Sequence, residues 1–152
     1  MYPIRLVVIG RPKLESIRQL ESHYRDLLKG FCRLELLEIP EGKGEAVRQL
    51  KDEGERLRTL LAPFRCPVLL DAEGPSRSSE AMAAWLGTRM DRGESLAFAL
   101  GSSHGFDPAL KQSIPERLSL SPMTFPHDLS RVMFLEQLYR SFAILKGRTY
   151  HK

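Results

Sequence analysis

The sequence predicts an α/β fold in which a mostly parallel sheet carries helices on both faces. Three observations lead to this prediction. Short apolar runs alternate along the chain with longer amphipathic segments, and glycine or proline separates most of them. No repeat and no low-complexity tract interrupts the alternation. Residues 1–152 are therefore expected to form one domain.

Five short apolar runs are predicted to be strands, since most of them end at a residue type that breaks strands. The first run contains Val7 and Val8 and stops at Gly10, the second stops at Pro40, and the fourth stops at Gly101. The third is followed by a strong turn signal at residues 71–75. The predicted strands are residues 4–9, 34–39, 67–70, 96–100 and 118–120.

Five further segments are predicted to be helices, because their apolar residues recur at spacings of three and four. The first apolar stripe is expected to include Leu14 and either Leu20 or Glu21, and the second is expected to begin at Val47. Trp85 is expected to lie in the core. The predicted helices are residues 14–28, 44–61, 79–90, 108–114 and 129–145.

Composition narrows the class of protein. An apolar content of 42% and a charged content of 28% are ordinary for a soluble globular protein. No apolar run approaches the roughly 20 residues of a membrane span, and the run at 4–9 is too short for a signal peptide. A cytoplasmic location without a membrane partner is therefore expected. Cys32 and Cys66 stand apart from each other and from any histidine cluster. Buried free thiols and no metal site are expected.

The net charge of +4 is unevenly distributed. Residues 128–152 contain five basic and two acidic side chains, which leaves +3 for this segment. A basic surface confined to one segment suits a phosphate-bearing partner. The same charge distribution is equally typical of a solvent-exposed helix face followed by basic residues at the helix C-terminus, where the helix dipole favours positive charge. Charge alone leaves both interpretations open.

Three loops that follow predicted strands are candidates for a shared ligand site, because parallel strands end at the same edge of a sheet. They are residues 70–74, 100–105 and 119–127. Gly101 and Gly105 let the backbone approach a ligand, while Met123 and Phe125 supply apolar walls. This mixture suits a ligand with an adenine and a ribose. The GxxxxGK[ST] and GxGxxG phosphate loops are absent, which argues against nucleoside triphosphates and Rossmann cofactors.

A serine hydrolase is a competing hypothesis. Residues 101–105, GSSHG, match the G-x-S-x-G pattern of a nucleophile elbow, and Ser103, Asp128 and His151 follow in the order of a hydrolase triad. The chain is short for the fold that houses this elbow. It also lacks an HGGG-like segment for the second oxyanion donor. The hydrolase is therefore the weaker alternative.

Several spaced motifs carry a resemblance that covers essentially the whole chain. They are LSLSPMTFPH at 118–127, Arg131-Val132 followed by LEQLYR at 135–140, and the terminal YHK at 150–152. Ile39-Pro40 and Glu53-Gly54 agree in kind. In these motifs the chain resembles the ribosomal large-subunit pseudouridine methyltransferase H family, among the smallest of the SPOUT RNA methyltransferases.

The resemblance implies a C-terminal trefoil knot, a homodimer, and S-adenosylmethionine held by the knot loops. It also implies a target, N3 of a pseudouridine in large-subunit (23S) ribosomal RNA, methylated on the assembled ribosome. The residues that it implies for the cofactor are Leu70, Gly101, Ser102, Ser121, Pro122, Met123, Thr124, Phe125 and Pro126. The family usually has a glycine where this chain has Ser102, so this side chain is expected either to crowd the cofactor or to require a small shift of the loop.

The chain's end is the candidate acceptor site within this resemblance. Tyr150 and His151 are expected to complete it, with His151 handling the proton, and the partner subunit is one possible source of both. Arg140 and Lys152 are expected to contact RNA phosphates. The rival hypothesis is a module that has the same fold and binds RNA or the ribosome but has no catalytic activity. The reason for considering it is the serine at position 102.

Overall fold

The computed structural model describes residues 1–151 and contains one five-stranded parallel sheet. The strands lie in the order β2-β1-β4-β3-β5. Their bounds are Tyr2–Ile9 (β1), Cys32–Ile39 (β2), Cys66–Leu70 (β3), Leu96–Leu100 (β4) and Arg117–Leu118 (β5).

Five helices cover the sheet. They are Glu15–Leu28 (α1), Ala46–Leu61 (α2), Ser79–Asp91 (α3), Pro108–Ser113 (α4) and His127–Leu145 (α5). The helices α1, α3 and α5 pack on one face, and α2 and α4 pack on the other. The predicted α/β fold, with a parallel sheet between two helical layers, is confirmed.

The central strands are apolar on both sides because both faces of the sheet are covered. In β1, Leu6 and Val8 face the layer of α1, α3 and α5, while Val7 and Ile9 face α2 and α4. In β4, Phe98 fills the first layer and the small Ala97 and Ala99 face the second. This packing brings the ends of β1, β3 and β4 to one edge of the sheet.

The predicted helix stripes are wrong at two positions, because Val47 is 81% exposed and Leu14 is 60% exposed. Of the alternatives Leu20 and Glu21, Glu21 is the buried one. Gly44 has a φ of +91°, a left-handed conformation that a helix cannot contain, so α2 begins later than predicted. The buried face of α2 also includes Gln49 and Glu53, which the periodicity did not predict. Trp85 is half-buried and packs against the core, as expected.

Arg131 does not belong to a basic surface, and this part of the charge interpretation is wrong. Its side chain is fully buried on α5. The guanidinium lies 2.7 Å from Glu21 Oε2 and 2.8 Å from Glu38 Oε2. Burial of a guanidinium requires such partners, and α1 and β2 supply them.

Cys32 and Cys66 are free and buried, as predicted. Burial raises the pKa of the Cys32 thiol to about 12. No helix within residues 1–151 is long and apolar enough to cross a membrane.

Candidate functional site

A cleft of about 470 Å³ opens at the carboxyl ends of β3 and β4. The three loops predicted to share a site all contribute to it, so that prediction is confirmed. Apolar walls come from Leu70, Leu100, Phe106, Leu120 and Phe125. Residues 71–73, 101–105, 121, 123, 124, 126 and 127 complete the lining, together with Lys111 and Ser130.

Eight of the nine residues expected to contact a cofactor line this cleft, and Pro122 does not. Those that do are Leu70, Gly101, Ser102, Ser121, Met123, Thr124, Phe125 and Pro126. Pro122 is exposed. The Ser121 hydroxyl accepts a hydrogen bond from the Met123 amide at 3.0 Å, which closes the turn around Pro122. Pro122 lies within that turn and outside the lining.

The turn after β4 requires glycine at its two ends. A Cβ on Gly101 would lie 2.6 Å from the Gly105 carbonyl oxygen and 3.1 Å from Phe106 Cε1. Gly105 has a φ of +81°, and its amide donates to the Ser102 carbonyl at 2.9 Å. The backbone of this turn therefore borders the cleft directly.

The Ser102 side chain is engaged on the side of α2. Its hydroxyl donates to Glu53 Oε1 at 2.9 Å, and both side chains are buried. The expectation of crowding considered only the cleft and missed this partner. Glu53 lies 49 residues away in the sequence. The only sequence signal was that Glu53-Gly54 belongs to the resemblance.

Lys111 connects α4 to the loop after β3. Its ammonium lies 3.1 Å from Asp71 Oδ2 and 3.3 Å from Glu73 Oε2. Burial lowers the pKa of Lys111, but the bonds and charges of the two carboxylates outweigh it and the net shift is upward. The cleft thus has a charged, internally paired edge. Sequence reasoning treated Asp71 and Glu73 as ordinary turn residues and missed Lys111.

His127, the first residue of α5, also lines the cleft and was missed as a site residue. Burial lowers its pKa, and Arg131 lowers it further, against smaller upward effects of the Gly101 carbonyl and Asp128. Its Nε2 is buried and has no hydrogen-bond partner in the described part of the chain. A neutral imidazole with a free nitrogen suits a ligand that can hydrogen-bond.

Tyr150 and His151, expected at the acceptor site, and Arg140, expected to contact RNA, form a separate group with Glu80 and Glu136. This group is here called the C-terminal cluster. Arg140 Nε and the Tyr150 hydroxyl both donate to Glu136 Oε1, at 2.9 Å and 3.0 Å. Burial, followed by the bond to Glu136, raises the pKa of Tyr150. The Arg140 guanidinium lies 4.8 Å from the centre of the Tyr150 ring. These contacts fix the tail against α5.

His151 is held between α3 and α5. Its Nε2 lies 2.8 Å from Glu80 Oε1, and its Nδ1 lies 3.3 Å from Arg140 Nη1. A guanidinium can only donate hydrogen bonds, so Nδ1 is the acceptor of the bond from Arg140. Nε2 therefore carries the ring proton and donates a hydrogen bond to Glu80. Lys152 lies outside the described residues, so its expected RNA contact has no structural counterpart here.

The C-terminal cluster does not meet the cleft of its own chain. Arg140 follows His127 by 13 residues on α5, which at about 1.5 Å per residue separates them by about 20 Å. No residue between Glu136 and His151 lines the cleft. The residues expected to contact the cofactor and those expected at the acceptor site therefore lie at two separate places on the chain.

The hydrolase triad is not formed. Asp128 Oδ2 accepts a hydrogen bond from the Lys13 amide at 3.0 Å, while His151 pairs with Glu80. Ser103 is exposed at the turn after β4. The hydrolase hypothesis is wrong because Asp128 lies at the start of α5, whereas His151 is bound to Glu80 beyond the end of that helix.

An apolar groove of about 490 Å³ runs between α1, α3 and α5. Leu20, Met82, Leu120, Val132 and Met133 are among the side chains that line it. Leu120 borders both the groove and the cleft, so the two lie side by side. Within residues 1–151, no three His, Cys, Asp or Glu side chains form a group that could hold a metal ion.

Comparison with known proteins agrees with this fold over the whole chain. A family model described as "Predicted SPOUT methyltransferase" matches residues 2–151. The chain is 36% identical to the ribosomal RNA large subunit methyltransferase H of Pelobacter propionicus over 150 residues, which cover 97% of this chain and 98% of that protein. The protein of the same name from Geotalea daltonii matches with the same identity and coverage.

Solved structures share the fold at low sequence identity. A probable methyltransferase from Bordetella pertussis superposes with a TM-score of 0.61 at 17% identity, covering 93% of this chain and 95% of that one. A probable methylase family protein from Haemophilus influenzae gives 0.62 at 12%, covering 98% and 70%. Together with the family model and the relatives of similar length, these similarities place the chain: it belongs to the SPOUT methyltransferases, within the ribosomal RNA large subunit methyltransferase H family.

Proposed function

We propose that this chain is a cytoplasmic, S-adenosylmethionine-dependent methyltransferase that modifies N3 of a pseudouridine in 23S ribosomal RNA on the assembled ribosome. The observation that carries the proposal is the cleft at the carboxyl ends of β3 and β4, lined by eight of the nine expected cofactor residues. Relatives of the same length are named as large-subunit rRNA methyltransferases, which supports the substrate class. The whole chain acts as one SPOUT domain, and the C-terminal trefoil knot is expected from the family.

The cleft fits S-adenosylmethionine in size and chemistry. Its volume of about 470 Å³ lies within the roughly 300–1,000 Å³ usual for small-molecule sites. The narrow turn at Gly101 leaves backbone groups open to a ligand, since a Cβ there would meet the Gly105 carbonyl. The apolar side chains of Leu70 and Phe125 suit an adenine ring, and the free Nε2 of His127 offers a hydrogen bond.

The chain's main contribution to catalysis is alignment. S-adenosylmethionine supplies an already activated methyl group on its sulfonium. The turn at 101–105 and the loop at 121–126 would hold the cofactor against the packed ends of β3 and β4. Alignment of donor and acceptor would be their contribution to the rate. Lys111, bonded to Asp71 and Glu73, holds the loop at 70–74 in place.

The acceptor requires a proton to leave N3 of the pseudouridine, and His151 is the proposed acceptor of that proton. In the free chain both ring nitrogens are engaged, by Arg140 and by Glu80. RNA must therefore displace Arg140 from Nδ1, the ring nitrogen without a proton, before His151 can accept the proton of N3. Tyr150 remains protonated, because its pKa is raised, and its role is to hold the tail through Glu136.

The separation of the C-terminal cluster from the cleft favours a homodimer, in which the partner supplies the tail. The second copy is proposed to dock in the groove between α1, α3 and α5, where the apolar Leu20, Met82, Val132 and Met133 lie beside Arg77, Glu136 and Gln137. A dimer also doubles the net charge of +4 that each chain brings to RNA.

Sedimentation tests the dimer. Leu20→Glu places a charge at the rim of the groove and should convert the dimer to monomer. Val47→Glu changes an equally apolar side chain that is 81% exposed on α2, outside the groove, and should leave the dimer intact. A wild-type chain that sediments as a monomer would refute the dimer.

Methyl transfer tests the function. The purified protein is incubated with radiolabelled S-adenosylmethionine and ribosomes that lack the N3 methyl group, and the labelled nucleoside is identified after digestion. Label in N3-methylpseudouridine is expected with ribosomes and much less with deproteinised rRNA, since a protein of charge +4 is a weak electrostatic anchor.

The same experiment separates the rival function. Ribosome binding without label would favour the non-catalytic module, the alternative that the serine at position 102 suggested. In that case Ser102→Gly is the next protein to assay. Label in another nucleoside would keep the methyltransferase and reject the pseudouridine.

A further inference from the structure

Glu53 is a buried carboxylate that the proposed reaction does not use. It is 2% exposed, and no Lys, Arg or His in residues 1–151 pairs with it. A carboxylate without a cation is costly to bury unless hydrogen bonds satisfy it. Three donors do so: the Gly42 amide at 2.8 Å, Gln49 Nε2 at 3.1 Å and the Ser102 hydroxyl at 2.9 Å.

These three donors come from three different parts of the chain. Gly42 belongs to the loop after β2, Gln49 is one turn earlier on α2, and Ser102 belongs to the turn after β4. Two glycines show how tightly the parts pack around Glu53. A Cβ on Gly42 would lie 2.7 Å from the Gln49 carbonyl, and a Cβ on Gly54 would lie 3.0 Å from Asp107 Cβ.

The turn at 101–105 thus has two sides. One side lines the cleft, and the other is tied to Glu53 through Ser102. Within residues 1–151, this hydroxyl is the only group of the turn that Glu53 bonds. If packing alone were needed at position 53, an apolar side chain would serve α2 at least as well as a buried charge.

We infer that Glu53 is a positioning residue, which fixes the turn at 101–105 in the conformation that receives S-adenosylmethionine. Glu53 acts on the turn through its hydrogen bond with the Ser102 hydroxyl. This inference rests on the proposed function, because it assigns the cofactor to this cleft. It explains why a serine can stand where the family usually has glycine: its hydroxyl is bound on the side away from the ligand.

The test is a double-mutant cycle on cofactor affinity, measured by calorimetry with the full chain and S-adenosylmethionine alone. Ser102→Ala leaves Glu53 Oε1 unsatisfied, and Glu53→Gln turns an acceptor into a donor facing the Gly42 amide or Gln49. Each should weaken binding by about 10-fold, the scale of one hydrogen bond to a charged group. The double variant should lose less than the product of the two, because both break one interaction.

The control is Ser141→Ala. Ser141 is buried on α5, and its hydroxyl donates to the Gln137 carbonyl at 2.8 Å, outside the cleft lining. This variant should lower the melting temperature but leave the affinity for S-adenosylmethionine unchanged. A second readout without the cofactor is amide hydrogen exchange, which should become faster at 101–105 in Ser102→Ala and stay the same in β1.

The outcomes are distinct. Wild-type affinity in a folded Ser102→Ala chain would overturn the inference and leave Glu53 a purely structural residue, even if Glu53→Gln fails to fold. Failure of the unaltered chain to bind S-adenosylmethionine would overturn the proposed function first, and this inference with it. Weakened binding with coupling between the two positions would support it.

Discussion

Arg131 ties three elements together through a guanidinium that has no access to water. Its guanidinium on α5 meets Glu21 on α1 and Glu38 on β2, and its side chain has no exposed surface. Removing one partner of a buried ion pair leaves the other charge uncompensated. Arg131→Met keeps much of the volume and should lower the free energy of unfolding by about 3–5 kcal/mol, measured by urea denaturation.

A matched control is the exposed ion pair within α1. Lys29 lies 2.6 Å from Asp26, and both side chains are mostly in solvent. Lys29→Met removes the same kind of charge, but water screens and solvates what remains, so no measurable change is expected. Equal losses in the two variants would show that the burial of Arg131 has no energetic consequence.

His127 gives the stability of the chain a pH dependence of known sign. Its pKa lies below the ordinary 6.5 because it is buried. As the pH falls from above 6.5 through the folded-state pKa, the unfolded chain binds more protons than the folded chain. The free energy of unfolding should therefore decrease over this range, and His127→Gln should reduce the slope.

The measurement is urea denaturation at a series of pH values. The difference between wild type and variant isolates His127 from the carboxylates, which titrate in both proteins. His23→Gln, at an exposed position of α1, is the control and should keep the wild-type slope. A His127→Gln slope equal to that of wild type would contradict the assignment.

At the scale of elements, the strands were predictable because their signal is local. β4 was predicted with its exact bounds from five apolar residues that end at a glycine. β5 was predicted as 118–120 and is Arg117–Leu118, because β3 ends at Leu70 and offers no further partner beyond the pair Leu70↔Leu118. The length of β5 therefore depends on where β3 ends, which the apolar pattern of β5 itself does not indicate.

The helix stripes failed for a related physical reason. Periodicity places apolar residues inward, so Val47 was predicted to be buried and Glu53 was not. Glu53 can be buried because Gly42 and Ser102, far apart in sequence, satisfy its carboxylate. The cleft was predictable because parallel strands must end together. The polar side chains that hold its loops, Glu53 and Lys111, were not predictable, since each bonds a partner on another part of the chain.

The tail after α5 is the element to which we assign a chemical role. If His151 accepts the N3 proton, His151→Ala should lower the rate of methyl transfer to ribosomes by about 100-fold, the lower range for general base catalysis. The affinity for S-adenosylmethionine should not change, because His151 lies outside the cleft lining. Rates come from labelled methyl incorporation and affinities from calorimetry.

The control for this variant is His23→Ala, which removes an exposed histidine from α1 and should keep the wild-type rate. Undiminished methyl transfer by His151→Ala would reject the proton-accepting role. A parallel loss of cofactor affinity would instead indicate that the tail supports the cleft structurally.

At the scale of the whole molecule, the separation of cleft and tail determines how many chains one site requires. His127, which lines the cleft, and Arg140, which contacts the tail, lie about 20 Å apart along α5, by the rise of an α-helix. Glu80 and Glu136 hold the tail in place. The groove that suits a second copy borders the cleft through Leu120. A partner docked there can bring its own tail to the first chain's cleft without disrupting α5.

Mixed dimers distinguish a shared site from a self-contained one. One chain carries Ser103→Trp, which places an indole on the cleft lining, and the other carries His151→Ala. Each homodimer should be nearly inactive. If the tail acts in the partner's cleft, the mixed dimer contains one site with an intact cleft and an intact tail, and should recover about half of the wild-type rate.

If each tail serves its own cleft, every site in the mixed dimer carries one defect and no activity returns. Two different affinity tags allow the mixed dimer to be purified, and methyl incorporation into ribosomes gives its rate. A cofactor titration should find one binding site per mixed dimer, which verifies that Ser103→Trp blocks its cleft. With that stoichiometry established, an inactive mixed dimer would refute the shared site, because the intact cleft and the intact tail would both be present.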